Sequence, residues 1–127
     1  MPTTPKFTFL LLIMVFFATL GANAEQPASA TEILDSQKEA AEGKAAAAQD
    51  IAKGEIRYEV RGEPSQIDAE LLRRAKSEYN IAVVFTGCTG GPRIHYDQSY
   101  HASIVEYLTS KYGFDPIDRI QAELMKQ

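Results

Sequence analysis

The sequence predicts an α/β (α+β) fold in which a small two- to three-stranded mixed sheet is built on a βαβ unit and packed by two or three helices. A signal peptide and an Ala-rich helix are predicted to precede it. Two observations lead to this prediction. Between residues 55 and 85, an alternating strand pattern, an amphipathic helix pattern and an apolar strand pattern follow one another. The length of 127 residues leaves room for one small core.

Residues 1–24 have the three regions of a cleavable signal peptide. Lys6 precedes the apolar run Phe7–Leu20, and the small residues Ala22-Asn23-Ala24 follow it. The run is too short to cross about 30 Å of hydrocarbon comfortably. We therefore expect cleavage after Ala24 and a secreted or periplasmic product that has no membrane attachment after cleavage.

Residues 25–54 are predicted to form an Ala-rich helical spacer ahead of a βαβαα domain at 55–127. The stretch lacks aromatic residues, and Thr31–Lys53 is rich in Ala, Glu, Lys and Gln, which favour a helix. Gly54 is placed to end this helix. Because large apolar side chains are few, we expect a spacer or a loosely docked helix, with an oligomerisation helix as the alternative. Those side chains are Ile33, Leu34 and Ile51.

The centre of the predicted domain is a strand, a helix and a second strand. Glu55–Arg61 alternates apolar and charged residues, which is typical of a half-buried strand. Ser65 is placed to cap an amphipathic helix over Gln66–Tyr79. Ile81–Phe85 is a continuous apolar run, which indicates a strand covered on both faces. This order predicts two parallel strands joined by a right-handed crossover.

The C-terminal part is predicted to add a short strand and two helices. Arg93–Tyr96 is predicted to be a third strand, antiparallel because its connection is too short for a crossover. Ser99–Tyr112 carries an apolar stripe at helical spacing and ends before Gly113. Asp115 is predicted to cap a last helix that has Pro116 in its first turn.

Charge and cysteine content restrict the function. The 17 acidic and 13 basic residues give a net charge of −4, so no long-range field attracts nucleic acid and we expect no nucleic-acid partner. Cys88 is the single cysteine, which excludes an intramolecular disulfide. Three interpretations of this thiol stay open: a small buried side chain, a bridge to a partner, including a homodimer through Cys88, or a reactive nucleophile.

The loop after the apolar strand is the first candidate for a binding site. Open α/β sheets place ligands at the carboxyl ends of strands, where backbone N–H groups of a glycine-rich loop can surround an anion. Nearby tyrosines can add a contact surface. The alternative is a plain connection whose glycines permit positive φ. The candidate ligand-binding residues are Gly87, Cys88, Thr89, Gly90, Gly91, Arg93, Tyr96 and Tyr100.

Three residues beyond this loop have side chains that suit a metal ion. His95, Asp97 and His101 form an H-x-D-x3-H pattern whose donors fit zinc or a similar ion. Periodicity opposes their convergence, because His95 faces away if Ile94 and Tyr96 face the core, while His101 lies within the apolar stripe of a helix. His101 is then expected to be a core histidine that bonds to a backbone carbonyl or a tyrosine hydroxyl.

Nucleophilic catalysis is a further interpretation. Cys88 with His101 or His95 has the residue types of a thiol–imidazole dyad, but no third group that would orient the base is evident. We therefore expect a non-catalytic exported module that binds an unknown protein or small ligand and needs no cofactor. Two alternatives stay open: a small thiol- or metal-dependent enzyme that uses Cys88, His95, Asp97 and His101, or a disulfide-linked structural protein of the envelope.

Overall fold

The computed structural model describes residues 28–87 and 91–127, apart from the side chains of Gln66 and Ile67. Thr31–Gln127 form one compact unit. The predicted signal peptide lies outside the described residues. Within the described part of the chain, no helix is long and apolar enough to span a membrane. The elements in chain order are α1 (Ala30–Lys53), β1 (Ile56–Arg61), α2 (Gln66–Tyr79), β2 (Ile81–Thr86), α3 (Ile94–Tyr112) and α4 (Pro116–Leu124).

The sheet of the described residues consists of β1 and β2, which pair in parallel. The register runs from Ile56 opposite Ile81 to Arg61 opposite Thr86. The order strand, helix, strand and the parallel pairing are as the sequence predicts. The hand of the crossover stays a prediction. A parallel pair of this kind needs a long connection between its strands, and α2 supplies it.

One face of β2 is open. Ile81 and Val83 are buried, whereas Ala82 and Val84 are exposed, Val84 to 39%. The expectation that this strand is covered on both faces was therefore wrong. The reason is that a continuous apolar run has no period from which a covered face can be told from an open one.

The predicted third strand at Arg93–Tyr96 is also wrong, because helix α3 begins at Ile94 rather than at Ser99. The N–H of Asp97 donates to the carbonyl oxygen of Arg93 at 3.0 Å, as in a first helical turn. The described sheet is consequently parallel and not mixed. So short a segment has too little periodicity to separate strand from helix, and it gains more hydrogen bonds by extending an existing helix.

The core lies where the inner face of the sheet meets the helices. Asp115 caps α4 as predicted, because its side chain accepts hydrogen bonds from the N–H groups of Ile117 and Asp118. Pro116 in the first turn is buried together with the apolar face of this helix. The buried apolar residues form one cluster: Ala47, Ile56, Tyr58, Leu71, Ala75, Ile81, Val83, Tyr100, Ile104, Leu108, Ile117 and Ile120.

Helix α1 packs on α3 through small residues. Gly43 and Ala47 are buried, and a Cβ at Gly43 would overlap the carbonyl oxygen of Tyr96 and the hydroxyl of Ser99. The Ser99 hydroxyl also donates to the carbonyl oxygen of Ala40 at 2.6 Å. Only a residue without a side chain allows two backbones to approach so closely. The Ala-rich helix therefore has a docking face that its few large apolar residues did not indicate.

Candidate binding cleft

A cleft of about 420 Å³ lies at the carboxyl ends of β1 and β2. The N–H of Gly62 donates to the carbonyl oxygen of Thr86 at 2.8 Å, so the two strands end together. Ligands of open α/β sheets bind at this end, and the volume is typical of small-molecule sites. The cleft is lined by Tyr58, Glu59, Val60, Arg61, Thr86, Gly87, Gly91, Ile94, Asp97, Gln98, His101, Ile117 and Gln121.

Two helices build the wall opposite the strands. Asp97 and His101 are four residues apart in α3, and Ile117 and Gln121 are four residues apart in α4. This spacing places each pair on one face of its helix, one turn apart. Side chains of both helices therefore converge on the strand ends. The lining combines apolar surface with amides, a hydroxyl and charges of both signs.

Tyr58 joins the strand to both helices at the base of the cleft. Its hydroxyl donates to Asp115 Oδ2 at 2.8 Å, while Asp115 Oδ1 accepts the N–H of Ile117 at 2.9 Å. The rings of Tyr58 and His101 meet edge to face, with centroids 4.8 Å apart. Burial and the bond to Asp115 raise the pKa of Tyr58 well above its usual value near 10. The hydroxyl is therefore a neutral, fixed donor at physiological pH.

His101 lines the cleft and has a buried polar atom without a hydrogen-bond partner among the described residues. The atom is Nδ1, and residues 88–90 of the adjoining loop are not among those described. The expected bond from this histidine to a carbonyl or a tyrosine hydroxyl is therefore not seen at Nδ1. Burial and the neighbouring Asp115 raise the pKa of the Asp118 carboxyl, which follows Ile117 of the cleft lining in the chain of α4.

The candidate residues of the glycine-rich loop fall into three groups. Gly87 and Gly91 line the cleft at the place that the sequence indicates. Cys88, Thr89 and Gly90 lie outside the described residues. The remaining three, Arg93, Tyr96 and Tyr100, do not line the cleft.

Arg93, Tyr96 and Tyr100 lie instead on the side of α3 that faces α1. Arg93 pairs with Glu42 of α1 and stacks its guanidinium 4.4 Å from the ring centre of Tyr96. The hydroxyl of Tyr100 donates to Asp50 of α1 at 2.7 Å. Arg93 and Tyr100 therefore connect α3 to α1, and their polar groups are engaged within the protein.

The candidate metal ligands do not all meet. Asp97 and His101 line the cleft together, whereas His95 is exposed and is not part of its lining. Among the described residues there is no group of three or more His, Cys, Asp or Glu side chains that could hold a metal ion. His95 diverges because it lies on another face of α3 than Asp97 and His101, and the strand alternation from which the divergence was expected does not occur.

Several residues of the cleft were missed by the sequence analysis. Tyr58 was placed in a half-buried strand, and Glu59 and Arg61 on a strand face exposed to water. Gln98 and Gln121 carry no motif that distinguishes them from other surface glutamines. The one usable signal was positional, because residues at the end of β1 must lie near residues at the end of a parallel β2.

The chain was compared with family models, with curated proteins and with solved structures, and no match was found in any of them.

Proposed function

We propose that the protein is an exported, non-catalytic binding module that holds a small ligand in the cleft at the carboxyl ends of β1 and β2. The observation that carries the proposal is the convergence of strand ends, α3 and α4 on a cavity of about 420 Å³. Clefts of this size, with an apolar lining and a few polar groups, are the usual form of small-molecule sites.

The lining favours a ligand that has an apolar body and hydrogen-bonding groups. Val60, Ile94 and Ile117 supply apolar surface. Gln98 and Gln121 offer amides, each of which donates and accepts hydrogen bonds. Charges of both signs are present, so we expect no strong preference for anions or cations. A neutral ring that carries an amide or a hydroxyl fits this description.

Filling the cleft tests this proposal. Gln98 is exposed and lines the cleft, so Gln98→Trp would occupy the space without disturbing the buried core. Glu106→Trp, at an exposed position of α3 that does not line the cleft, is the matched control. The probe is a diverse panel of small fragments, benzamide and benzoate among them, added to ¹⁵N-labelled protein.

We expect fragments to shift the amide resonances of Thr86 and Gln121 in the wild type and in Glu106→Trp, and not in Gln98→Trp. If fragments shift resonances elsewhere, or if Gln98→Trp changes nothing, then the cleft is not the binding site.

An enzyme is the second candidate, and the observation that favours it is that Asp97 and His101 line the same cleft. A general base needs a free ring nitrogen that faces the reacting group. Cys88, the other member of the suggested dyad, lies outside the described residues. The proposed binding module retains its ligand affinity in Cys88→Ser, whereas an enzyme with a thiol nucleophile loses all turnover in that variant.

Native mass spectrometry of the purified protein, with and without reductant, separates the remaining alternatives. Export predicts the mass of a chain that begins at Glu25, because cleavage is expected after Ala24. A metal-dependent enzyme predicts one bound ion per chain. A structural envelope protein linked through Cys88 predicts a dimer whose mass halves on reduction. The proposed module predicts the cleaved chain without a metal and without a covalent partner.

A further inference from the structure

Strand β1 has an outer edge that is not paired in the described part of the molecule. The sheet has two strands, so each has one edge without a strand neighbour. The N–H and C=O groups of one residue point to the same side of a strand, and successive residues alternate. Because Gly62 directs its N–H to Thr86 of β2, the groups of Arg57, Glu59 and Arg61 point to the outer edge.

The outer edge is also accessible at its carboxyl half. Four consecutive residues of β1, from Tyr58 to Arg61, line the cleft. Side chains alternate between the two faces of a strand, so a cavity that touches consecutive residues reaches both faces of β1 at its carboxyl end, where the outer edge ends as well. An accessible row of unpaired backbone groups is a template for pairing with another strand.

Charges along this strand alternate in sign at every second residue. Arg57, Glu59 and Arg61 share one side of β1, Glu55 and Glu63 flank the strand, and all but the half-buried Glu59 are exposed. Opposite charges that face each other across two strands stabilise the pair, and like charges destabilise it. The order of the charges along β1 therefore determines which strand can pair favourably with its outer edge.

The strand that fits is another copy of β1. In an antiparallel pair centred on Tyr58, Arg57 lies opposite Glu59 of the second copy, and Glu55 lies opposite Arg61 of the second copy. Two-fold symmetry repeats each of these contacts. A pair centred on Glu59 would instead place Arg57 opposite Arg61, with like charges together.

We propose that two copies of this chain associate through the outer edges of β1, antiparallel and centred on Tyr58, to form one four-stranded sheet. The second strand would border the cleft, since Glu59 and Arg61 belong both to the outer edge of β1 and to the cleft lining. The pairing needs neither the proposed ligand nor a disulfide through Cys88.

Sedimentation equilibrium of the purified protein in reducing buffer tests this pairing. The wild type is expected to have twice the mass of one chain. Arg61→Glu places like charges opposite Glu55 at two symmetric positions, so we expect the dissociation constant of the dimer to rise at least about tenfold. The double variant Glu55→Arg/Arg61→Glu exchanges the charges and is expected to restore the dimer. Both residues are exposed, and neither contributes to the core.

Glu59→Arg is an independent single variant, because it brings two arginines together at the Arg57 position. It is expected to weaken the dimer as Arg61→Glu does. Circular dichroism must show the same helix content in every variant. A wild type that stays monomeric at the highest soluble concentration overturns the proposal, and so does a dimer that ignores both single variants. A double variant that fails to dimerise excludes the pairing centred on Tyr58.

Discussion

Helices α1 and α4 dock on the same domain by different means. The apolar face of α4, with Ile117 and Ile120, lies fully in the core, although the helix has 9 residues. Helix α1 has 24 residues, yet it buries Gly43 and Ala47, and its larger Leu34 is 64% exposed. Length therefore does not measure how firmly a helix is held.

Both helices are attached by the same kind of hydrogen bond, in which a tyrosine hydroxyl donates to an aspartate. Tyr100 of α3 donates to Asp50 of α1 at 2.7 Å, and Tyr58 of β1 donates to Asp115 at the start of α4 at 2.8 Å. Because this bond is common to both, the difference lies in packing. Burying a large aliphatic side chain contributes about 1.5–3 kcal/mol, whereas a methyl group contributes about 0.8 kcal/mol. We expect α1 to depend on close fit and α4 on buried area.

The largest loss of stability is expected for a substitution in α4. Ile120→Ala removes a side chain that is 1% exposed and leaves a cavity, which lowers the free energy of unfolding by about 2–5 kcal/mol. Urea unfolding followed by circular dichroism measures this loss. Leu124→Ala in the same helix, where the side chain is partly buried, is the control and should cost less. Equal losses would mean that burial does not decide how α4 is held.

The next largest loss of stability is expected where α1 packs closely on α3. Gly43→Ala would place a methyl group against the carbonyl oxygen of Tyr96, so the helices must separate. We expect a loss of about 1–3 kcal/mol, although the same change at an open helical site is favourable by about 1 kcal/mol. The α1 amides should also exchange hydrogen faster in Gly43→Ala than in the wild type. Ala41→Val, at an exposed site of α1, should cost below about 0.7 kcal/mol. A stabilised Gly43→Ala would show that α1 and α3 are not in close contact.

The tyrosine–aspartate bonds are expected to make stability fall at high pH. Burial and the bond to Asp50 raise the pKa of Tyr100 to about 12, and the pKa of Tyr58 is raised by the same causes. A group whose folded pKa is raised contributes fully below its unfolded pKa near 10, and the contribution is lost as the pH rises toward the folded pKa. Urea unfolding should therefore show a decline between pH about 10 and about 12.

Tyr100→Phe and Tyr58→Phe should each make that decline shallower, and each should cost about 1 kcal/mol at neutral pH through the lost hydrogen bond. Tyr107→Phe is the control, because among the described residues the carboxylate acceptors of tyrosine hydroxyls belong to Tyr58 and Tyr100. A decline that is unchanged in both variants would assign the alkaline loss to other groups.

The smallest change in stability is expected at the start of α1. Leu34 is 64% exposed, so Leu34→Ala should change the free energy of unfolding by less than about 0.5 kcal/mol. The same urea measurement applies. A loss as large as that of Ile120→Ala would mean that this end of α1 is covered in solution.

Local signals in the sequence were enough to predict most of the elements. Helix α2 has the predicted bounds, Gln66–Tyr79, and α4 follows Asp115 as predicted. Each of these helices has its own cap and stripe, which act within a few residues. The start of α3 was missed because Arg93–Tyr96 has no such signal. The open face of β2 was missed because coverage depends on where distant helices pack.

The cleft touches the loop that the sequence indicated, but most of its lining lies in other elements. The carboxyl end of a buried strand is a general ligand position, and Gly87 and Gly91 are the candidate loop residues that line the cleft. Tyr58, Gln98 and Gln121 come from three different elements, and their meeting depends on tertiary packing. The docking of α1 was missed for a related reason, since Gly43 contributes by having no side chain.

The carboxylate of Asp115 serves two elements at once, which makes the far end of the chain indispensable. One oxygen caps α4, and the other accepts the hydroxyl of Tyr58 from β1. A product truncated at Phe114 would lack a helix and would also keep a buried phenol without an acceptor, at a cost of about 1–3 kcal/mol. Premature stop codons and carboxypeptidase trimming should therefore yield unfolded material that cellular proteases remove, rather than a shortened working protein.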